Sequence, residues 1–479
     1  MTDGLDSRKR WLALIILCLG DLMIVLDTTI VNVALPSIGA DLAFSQTSLV
    51  WVVNAYMLTF GGFLLLGGRL GDLYGYRSMY LAGIVLFTLA SLACGVANSQ
   101  EMLIAARAVQ GLGGAVVSAV AMALIMNIFT EAGERTKAMG VFGFVMAGGG
   151  SLGVLLGGVL VDAFDWHWIF LVNIPIGIGV YALCLMLLPA DKAGSADTKL
   201  DMSGAVTVTL SLMLAVYAIV NGNEAGWGST QTLGLLGASV VLLAIFLAIE
   251  SRVTAPLMPL SLFRLRNVSV SNVVGVLWAA AMFAWFFISA LYMQLVLGYT
   301  PMQIGLAFLP TNLIMAAFSL GLSAKMVMRY GIRLPLALGL ALAALGLFLF
   351  AFSPVDGTFV WHILPGMLLL GLGAGMAFNP VLLAAMDGVD PKDSGLASGV
   401  VNTSFMMGGA LGLAVLASLA GARTDSLLAD GAVHAHALNG GYQLAFLVGA
   451  IFAALGALLS AMLLRTSAPT EQAGAPAVH

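Results

Sequence analysis

The sequence predicts an all-α membrane protein: two six-helix bundles with two further transmembrane helices inserted between them, fourteen spans in all. Three observations carry this prediction: a composition too apolar for a soluble domain, apolar runs that recur from end to end, and glycine-rich motifs that repeat at a nearly constant spacing. Of 479 residues, 61% are hydrophobic and 9% charged, with mean hydropathy +1.03. Soluble domains carry about 25% charged residues.

Each apolar run is long enough to cross a hydrocarbon core of about 30 Å. The expected spans are 12–35, 48–69, 78–97, 102–128, 139–160, 168–188, 202–220, 231–249, 270–297, 302–324, 334–353, 359–386, 396–418 and 442–464. Lys and Arg accumulate in short cytoplasmic loops, and this sets the orientation. An even number of spans puts both termini on one side. Placing them in the cytoplasm puts 17 of the 19 basic residues there as well. Arg423 falls outside, in an expected external loop from Ala420 to Gly441, and Arg107 falls within the fourth span.

The basic Arg8-Lys9-Arg10 followed by an apolar run resembles the start of a secretory signal. The run is too long and lacks a small-residue cleavage site, so it reads as a retained first helix. Cys18, Cys94 and Cys184 lie in separate spans and suit packing rather than a disulfide or a metal site. No cofactor or metal is expected. The net charge of −4, spread over loops, gives no reason to expect a nucleic-acid partner.

Internal repetition divides the chain. GGRLGDLYGYR (Gly67 to Arg77) corresponds to SAKMVMRYGIR (Ser323 to Arg333) at an offset of 256, which pairs Gly75 with Gly331 and Arg77 with Arg333. QGLGGA from Gln110 corresponds to LGLGAG from Leu370 at 260, and GGSLG from Gly149 to GGALG from Gly408 at 259. These offsets predict bundles at 1–190 and 267–479 in the same orientation. Residues 191–266 supply a polar linker and the two inserted helices. Parallel six-span repeats are the architecture of major facilitator transporters.

The motifs resemble the 14-span drug:proton antiporter branch of the major facilitator superfamily over nearly the whole chain. LDTTIVNVALP (Leu26 to Pro36) resembles its first-helix signature, Gly67 to Arg77 its loop between spans two and three, and RAVQGLGGA (Arg107 to Ala115) its fourth-helix signature. Gly140 to Gly158 is similar to the antiporter motif of the fifth helix, with Gly149, Gly153, Gly157 and Gly158 as its packing glycines. Val154 stands where that motif usually has proline, and Leu73 and Tyr76 stand where the loop motif often has basic residues. The resemblance implies proton-coupled export and a cytoplasmic latch made by Arg69, Asp72 and Arg77.

Asp27 lies deep in the first span. A carboxylate there costs roughly 2.5 to 3.5 kcal/mol on insertion scales, so it is expected to face a cavity or a partner. At 1.5 Å per residue it sits about 24 Å outward of Trp11, and Arg107 about 7 Å inward of Met102, which places the two at similar depth. Arg107 can therefore compete with a proton for Asp27, and on release can meet Gln110. A purely structural ion pair is the other reading. Asp21 lies about 240° around the helix and about 9 Å closer to the cytoplasm. It is either a second proton site or a polar residue near the inner mouth.

Candidates for a substrate cavity between the halves are Asn54, Tyr56, Gln110, Trp285, Tyr292, Gln294, Asn312 and Asn402, with Met57, Met282 and Phe286 beside them. Met and aromatic side chains suit variable apolar ligands. The expected partners are a small lipophilic substrate, protons and the bilayer of a bacterial cytoplasmic membrane, with the chain acting as a monomer. A primary pump is excluded by the lack of a GxxxxGK[ST] loop. Asp21 and Asp27 share one helix and face apart, which argues against an intramembrane protease. The remaining rival is a secondary transporter, exporter or symporter, of one metabolite or lipid.

Overall fold

The computed structural model describes residues 7–45, 47–129, 131–188, 201–253, 256–318, 322–389 and 394–465. Sixteen α-helices follow one another among them: α1 (Ser7–Asp41), α2 (Val50–Tyr74), α3 (Tyr76–Gly95), α4 (Gln100–Ile128), α5 (Ala132–Ala163), α6 (Trp168–Leu171), α7 (Asn173–Leu187), α8 (Met202–Ala225), α9 (Thr230–Glu250), α10 (Arg266–Leu291), α11 (Pro301–Ala317), α12 (Ser323–Tyr330), α13 (Arg333–Phe350), α14 (Leu364–Met386), α15 (Ser394–Ala429) and α16 (His434–Leu463). Among the described residues, twelve helices are long and apolar enough to cross a bilayer. The fifth and tenth expected spans coincide with α5 and α11, whose described apolar stretches, Leu152–Ala163 and Pro301–Ala317, are shorter. Seventeen residues rise only about 26 Å, just under the thickness of the core.

The repeat in sequence is a repeat in packing. α1 lies on α5 as α10 lies on α15; α3 lies on α4 as α13 lies on α14; α2 lies on α4 as α11 lies on α14. The two seams between the repeats, α2 with α15 and α5 with α11, are exchanged by the same pseudo-two-fold relation. The matched loop glycines show why the motif needs them. Gly75 has φ 92° and Gly331 φ 74°, left-handed values at which a side chain is strained. Both turns redirect the chain sharply between consecutive helices.

Small residues set how closely the helices approach. A Cβ on Gly149 would stand 2.8 Å from Leu22, and one on Gly157 would stand 2.9 Å from Ile30. One on Gly153 would come within 3.0 Å of the Leu26 carbonyl. A spacing of four residues puts all three on one face of α5, against α1. Their counterparts Gly408 and Gly412 meet Val276 and Ala280 of α10 in the same way.

The inserted pair α8 and α9 form a hairpin, with α8 seated along the α2–α15 seam. Asn223 donates to the Ser418 carbonyl at 2.8 Å near one end, and Ala205 packs with Leu66 and Leu257 near the other.

The structure corrects one expectation. Ala420 to Gly441 is not a loop: α15 continues to Ala429, and α16 begins at His434 after a short turn. The polar run Arg423-Thr424-Asp425 ends the hydrophobic signal but not the helix. Gly441 packs directly on Thr424 and the Ala420 carbonyl, so the two helices stay paired beyond the apolar stretch.

Candidate functional site

Side chains of α4 and α7 converge on Asp27 of α1. The carboxylate is fully buried on α1, and three side chains from other helices donate to it. Arg107 Nη1 on α4 donates to Oδ2 at 2.5 Å, while Gln110 Nε2 on α4 and Asn173 Nδ2 on α7 donate to Oδ1 at 2.7 and 3.0 Å. Arg107 is only 1% exposed. Its Nη1 also donates to Gln110 Oε1 at 2.6 Å, and its Nε donates to the Val52 carbonyl of α2 at 2.9 Å. The guanidinium lies 4.4 Å from the centre of the Tyr56 ring and 5.6 Å from that of Phe170. Ser91 on α3 closes the cluster, accepting from Gln110 at 2.9 Å and donating to the Phe87 carbonyl.

A buried ion pair offsets its desolvation only when its geometry is good and the remaining lone pairs and protons are satisfied. Here the two carboxylate oxygens accept three hydrogen bonds, one from a cation. A proton reaching Asp27 has to displace donors from α4 and α7. The charge on this side chain therefore couples the packing of α1 to that of two other helices.

Asp21 differs. It is equally buried, but it accepts only from Ser118 at 2.7 Å, and its Oδ2 has no partner among the described residues. Asp21 and Asp27 thus do not share a network.

The structure disperses the expected cavity residues. Tyr56 and Gln110 belong to the Arg107 cluster. Asn54 Nδ2 donates across the seam to the Ala410 carbonyl of α15 at 2.9 Å. Trp285 is buried against Phe286, Phe308 and Phe350, and Tyr292 donates to the Pro354 carbonyl at 2.7 Å. Asn312 is buried with Nδ2 unpartnered, half-buried Gln294 has an unpartnered Oε1, and Asn402 donates to the Ser398 carbonyl of its own helix. In the expected latch, Arg77 donates to the Leu185 carbonyl at 2.8 Å and Arg69 is half-buried on α2. The side chain of Asp72 lies outside the described residues. Gly158 does not face α1 with its neighbours: it meets Pro301 and Met302 of α11, and the Val154 carbonyl abuts Gly305 of the same helix. The position that lacks the motif proline is thus a contact between the repeats.

The family model of the Major Facilitator Superfamily matches residues 17–413. The chain belongs to the major facilitator superfamily. It is a multi-pass membrane transporter and not an enzyme. Among its relatives, the puromycin resistance protein Pur8 of Streptomyces alboniger is 38% identical over 99% of this chain and 95% of its own length. The cephamycin export protein CmcT of Amycolatopsis lactamdurans is 39% identical over 88% of this chain and 87% of its own. The lincomycin resistance protein of Streptomyces lincolnensis is 36% identical over 87% and 86%. Among solved structures, a bacterial homologue of the human drug peptide transporters PepT1 and PepT2 superposes with TM-score 0.64 at 16% identity, covering 94% of this chain and 97% of its own. The nucleoside transporter NupG superposes with TM-score 0.65 at 12% identity, covering 95% of this chain and all of its own. These structural likenesses concern the major facilitator fold alone.

Within this transporter the repeat is not chemically equal. Matched through their glycine contacts, the repeats are offset by 254 in the first helix, 256 in the third and 260 in the fourth, so Asp27 corresponds to Ala281, Ser91 to Leu347 and Arg107 to Met367. All three counterparts are apolar and buried, and the backbone carbonyl of Met367 accepts from Thr311 of α11. The second repeat fills with apolar side chains the place where the first holds an ion pair.

Proposed function

We propose that this transporter exports lipophilic drugs or antibiotics across a bacterial cytoplasmic membrane in exchange for protons, by alternating access. The observation that carries the proposal is the sealed Asp27–Arg107–Gln110–Asn173 cluster, a charge held between helices of one repeat. The relatives, which are named for antibiotic resistance and export, support the choice of substrate class. On this reading the chain crosses the membrane fourteen times, with both termini cytoplasmic, bundles at 1–190 and 267–479 and an insert at 191–266. Both repeats are in one chain, so the monomer is the transporting unit.

In the proposed cycle a proton on Asp27 removes the negative charge that holds Arg107. Arg107 retains the Val52 carbonyl, Gln110 and the Tyr56 ring, while α1 is freed from α4 and α7 and shifts along its glycine seam with α5. Proton and substrate then favour opposite arrangements of the halves, and antiport follows from that exclusion. Asp21, on the inner side of Asp27, is the second carboxylate of the path. Each charge moved is worth about 2.3 kcal/mol per 100 mV of membrane potential.

The test is uphill transport in everted vesicles with a panel of lipophilic cations and neutral antibiotics. Substrate accumulation should dissipate an imposed pH gradient, and Asp27→Asn should abolish both at normal expression. Undiminished uphill transport by Asp27→Asn would leave the cluster as structural packing.

A further inference from the structure

Away from the Asp27 cluster, a second pair of buried acids joins the inserted helices. Asp201 precedes α8 and caps it: Oδ1 accepts from the Gly204 backbone N–H at 2.7 Å and from the Ser203 hydroxyl at 2.8 Å. Glu250 ends α9, and its Oε2 accepts from the Met258 backbone N–H at 3.0 Å. Both residues are only 3% exposed. The other oxygen of each, Asp201 Oδ2 and Glu250 Oε1, is buried and has no hydrogen-bond donor among the described residues.

Those two orphaned oxygens face each other. Asp201 Oδ2 lies 2.5 Å and Glu250 Oε1 2.8 Å from the point a Cβ on Gly204 would occupy, so they are at most 5.3 Å apart, the sum of the two distances. The carboxyl groups are within hydrogen-bonding reach. The glycine leaves the space in which they meet.

No cation among the described residues offsets this pair. Glu224 of α8 and Arg423 and Asp425 of α15 lie toward the other end of their helices, and Asp72 is a further acid on α2; the basic groups at this end are, among the described residues, Arg252 just past α9 and Arg69 on α2. Neither is within ion-pair distance of either acid; the ion pairs among the described residues are Arg10–Glu134, Arg107–Asp27 and His167–Asp165. No group of three metal-ligating side chains exists among the described residues either. Two acceptor-only oxygens out of water and without a cation repel each other. A single proton between them turns the repulsion into a hydrogen bond.

We propose that Asp201 and Glu250 form a proton-binding site, distinct from the Asp27 cluster, in which one shared proton clamps the inner ends of the two inserted helices together. The clamp acts on the rest of the transporter through α2. Ala205, next to Gly204, packs with Leu66 and Leu257, and Thr209, one turn further along α8, fills the space over Gly62. Loss of the proton leaves two anions in contact, separates α8 from α9 and loosens the insert from the half of α2 that leads into the Arg69 to Arg77 loop. The site reads the pH at the membrane face where α8 begins and α9 ends, and it is no part of the coupling stoichiometry.

The proposal is tested on purified full-length protein in lipid nanodiscs, without substrate or gradient, so the outcome does not depend on the transport reading. Infrared difference spectra recorded as the pH is raised should show loss of a carboxylic-acid carbonyl band that is missing in Glu250→Gln and shifted in Asp201→Asn. Proton release on the same titration should fall by one proton per chain in Glu250→Gln. Spin labels on Met202→Cys and Ser251→Cys, both exposed, should separate at alkaline pH in the otherwise native protein. They should stay close in the Glu250→Gln background, where the amide donates permanently to Asp201. A band unchanged by Glu250→Gln, or label distances that respond to pH equally in both backgrounds, would overturn the site. So would carboxylate shifts produced by Na⁺, Mg²⁺ or Ca²⁺ at constant pH, which would make it a metal-cation site.

Discussion

Replacing the Asp27–Arg107 pair by neutral side chains tests whether the cluster is a switch or a prop. Arg107→Met alone leaves a buried carboxylate with only the amides of Gln110 and Asn173 as donors. Asp27→Asn alone leaves a buried guanidinium holding the Val52 carbonyl, Gln110 Oε1 and the Tyr56 ring. Breaking a buried pair from one side costs about 3 to 5 kcal/mol, because one charge stays uncompensated. The second cost should be the smaller, since the cation–π contact with Tyr56 survives and a desolvated contact of that kind is worth about 2 kcal/mol. The double variant removes both charges. Its introduced asparagine can accept from Gln110 and Asn173 through the side-chain oxygen and turn its amide towards Gln110 Oε1, which is freed from Arg107; methionine is what the second repeat already carries at the matched position. The coupling energy of the cycle should therefore be at least about 2 kcal/mol. Thermal unfolding of the purified protein, followed by loss of the monodisperse peak, should rank native and double variant together above both single variants. Uphill transport should be lost in all three variants. Additive destabilisation would refute the argument that the two charges hold each other in a dehydrated site, and export by the double variant would refute its role as the switch.

The helix seams and topology give three further expectations. Gly153→Val should cut export sharply, because the added atoms meet the Leu26 carbonyl, whereas Gly150→Ala, whose Cβ has only Thr29 Cγ2 at 4.0 Å, should transport normally in the same vesicle assay. The overpacking cost at Gly153 is about 1 to 3 kcal/mol. Asn54→Leu removes the bond to the Ala410 carbonyl and should weaken disulfide cross-linking between cysteine pairs placed across the α2–α15 seam, with expression unchanged. A cysteine at Val433, 69% exposed in the turn before α16, should react with an impermeant maleimide in intact cells; protection there would reverse the orientation.

Much of the site is legible in the sequence, for identifiable reasons. A charge inside an apolar run stands out, and counting rise per residue puts Asp27 and Arg107 at one depth, where the structure pairs them. Gln110 follows because it lies three residues from Arg107, on the same face of α4. Asn173 and Ser91 are not legible: a neutral polar residue in a span is common, and no local pattern announces that a side chain 146 residues away donates to Asp27. The cavity candidates rest on chemical type alone, which does not tell inward from buried; Trp285 and Tyr292 are placed by the packing of their own repeat. The expected external loop fails because hydropathy marks where apolar side chains stop, whereas helix hydrogen bonding continues through Thr424 and Asp425. Offsets are a better guide than hydropathy, since Gly408 and Gly412 follow Gly149 and Gly153 in both sequence and contact.

The apolar triad Ala281, Leu347 and Met367 has a consequence for how such a chain can diversify. A rocking motion between two bodies needs a driving element on one of them only; the other serves as the abutment. The ion pairs among the described residues all lie in the first repeat, so on the proposed cycle mutations in the core of the second change shape and volume without altering the charge that is moved. On that proposal, ligand preference can drift through side-chain size in one half while the coupling cluster stays intact in the other. Families built in this way can acquire new cargo without first inventing a new motor.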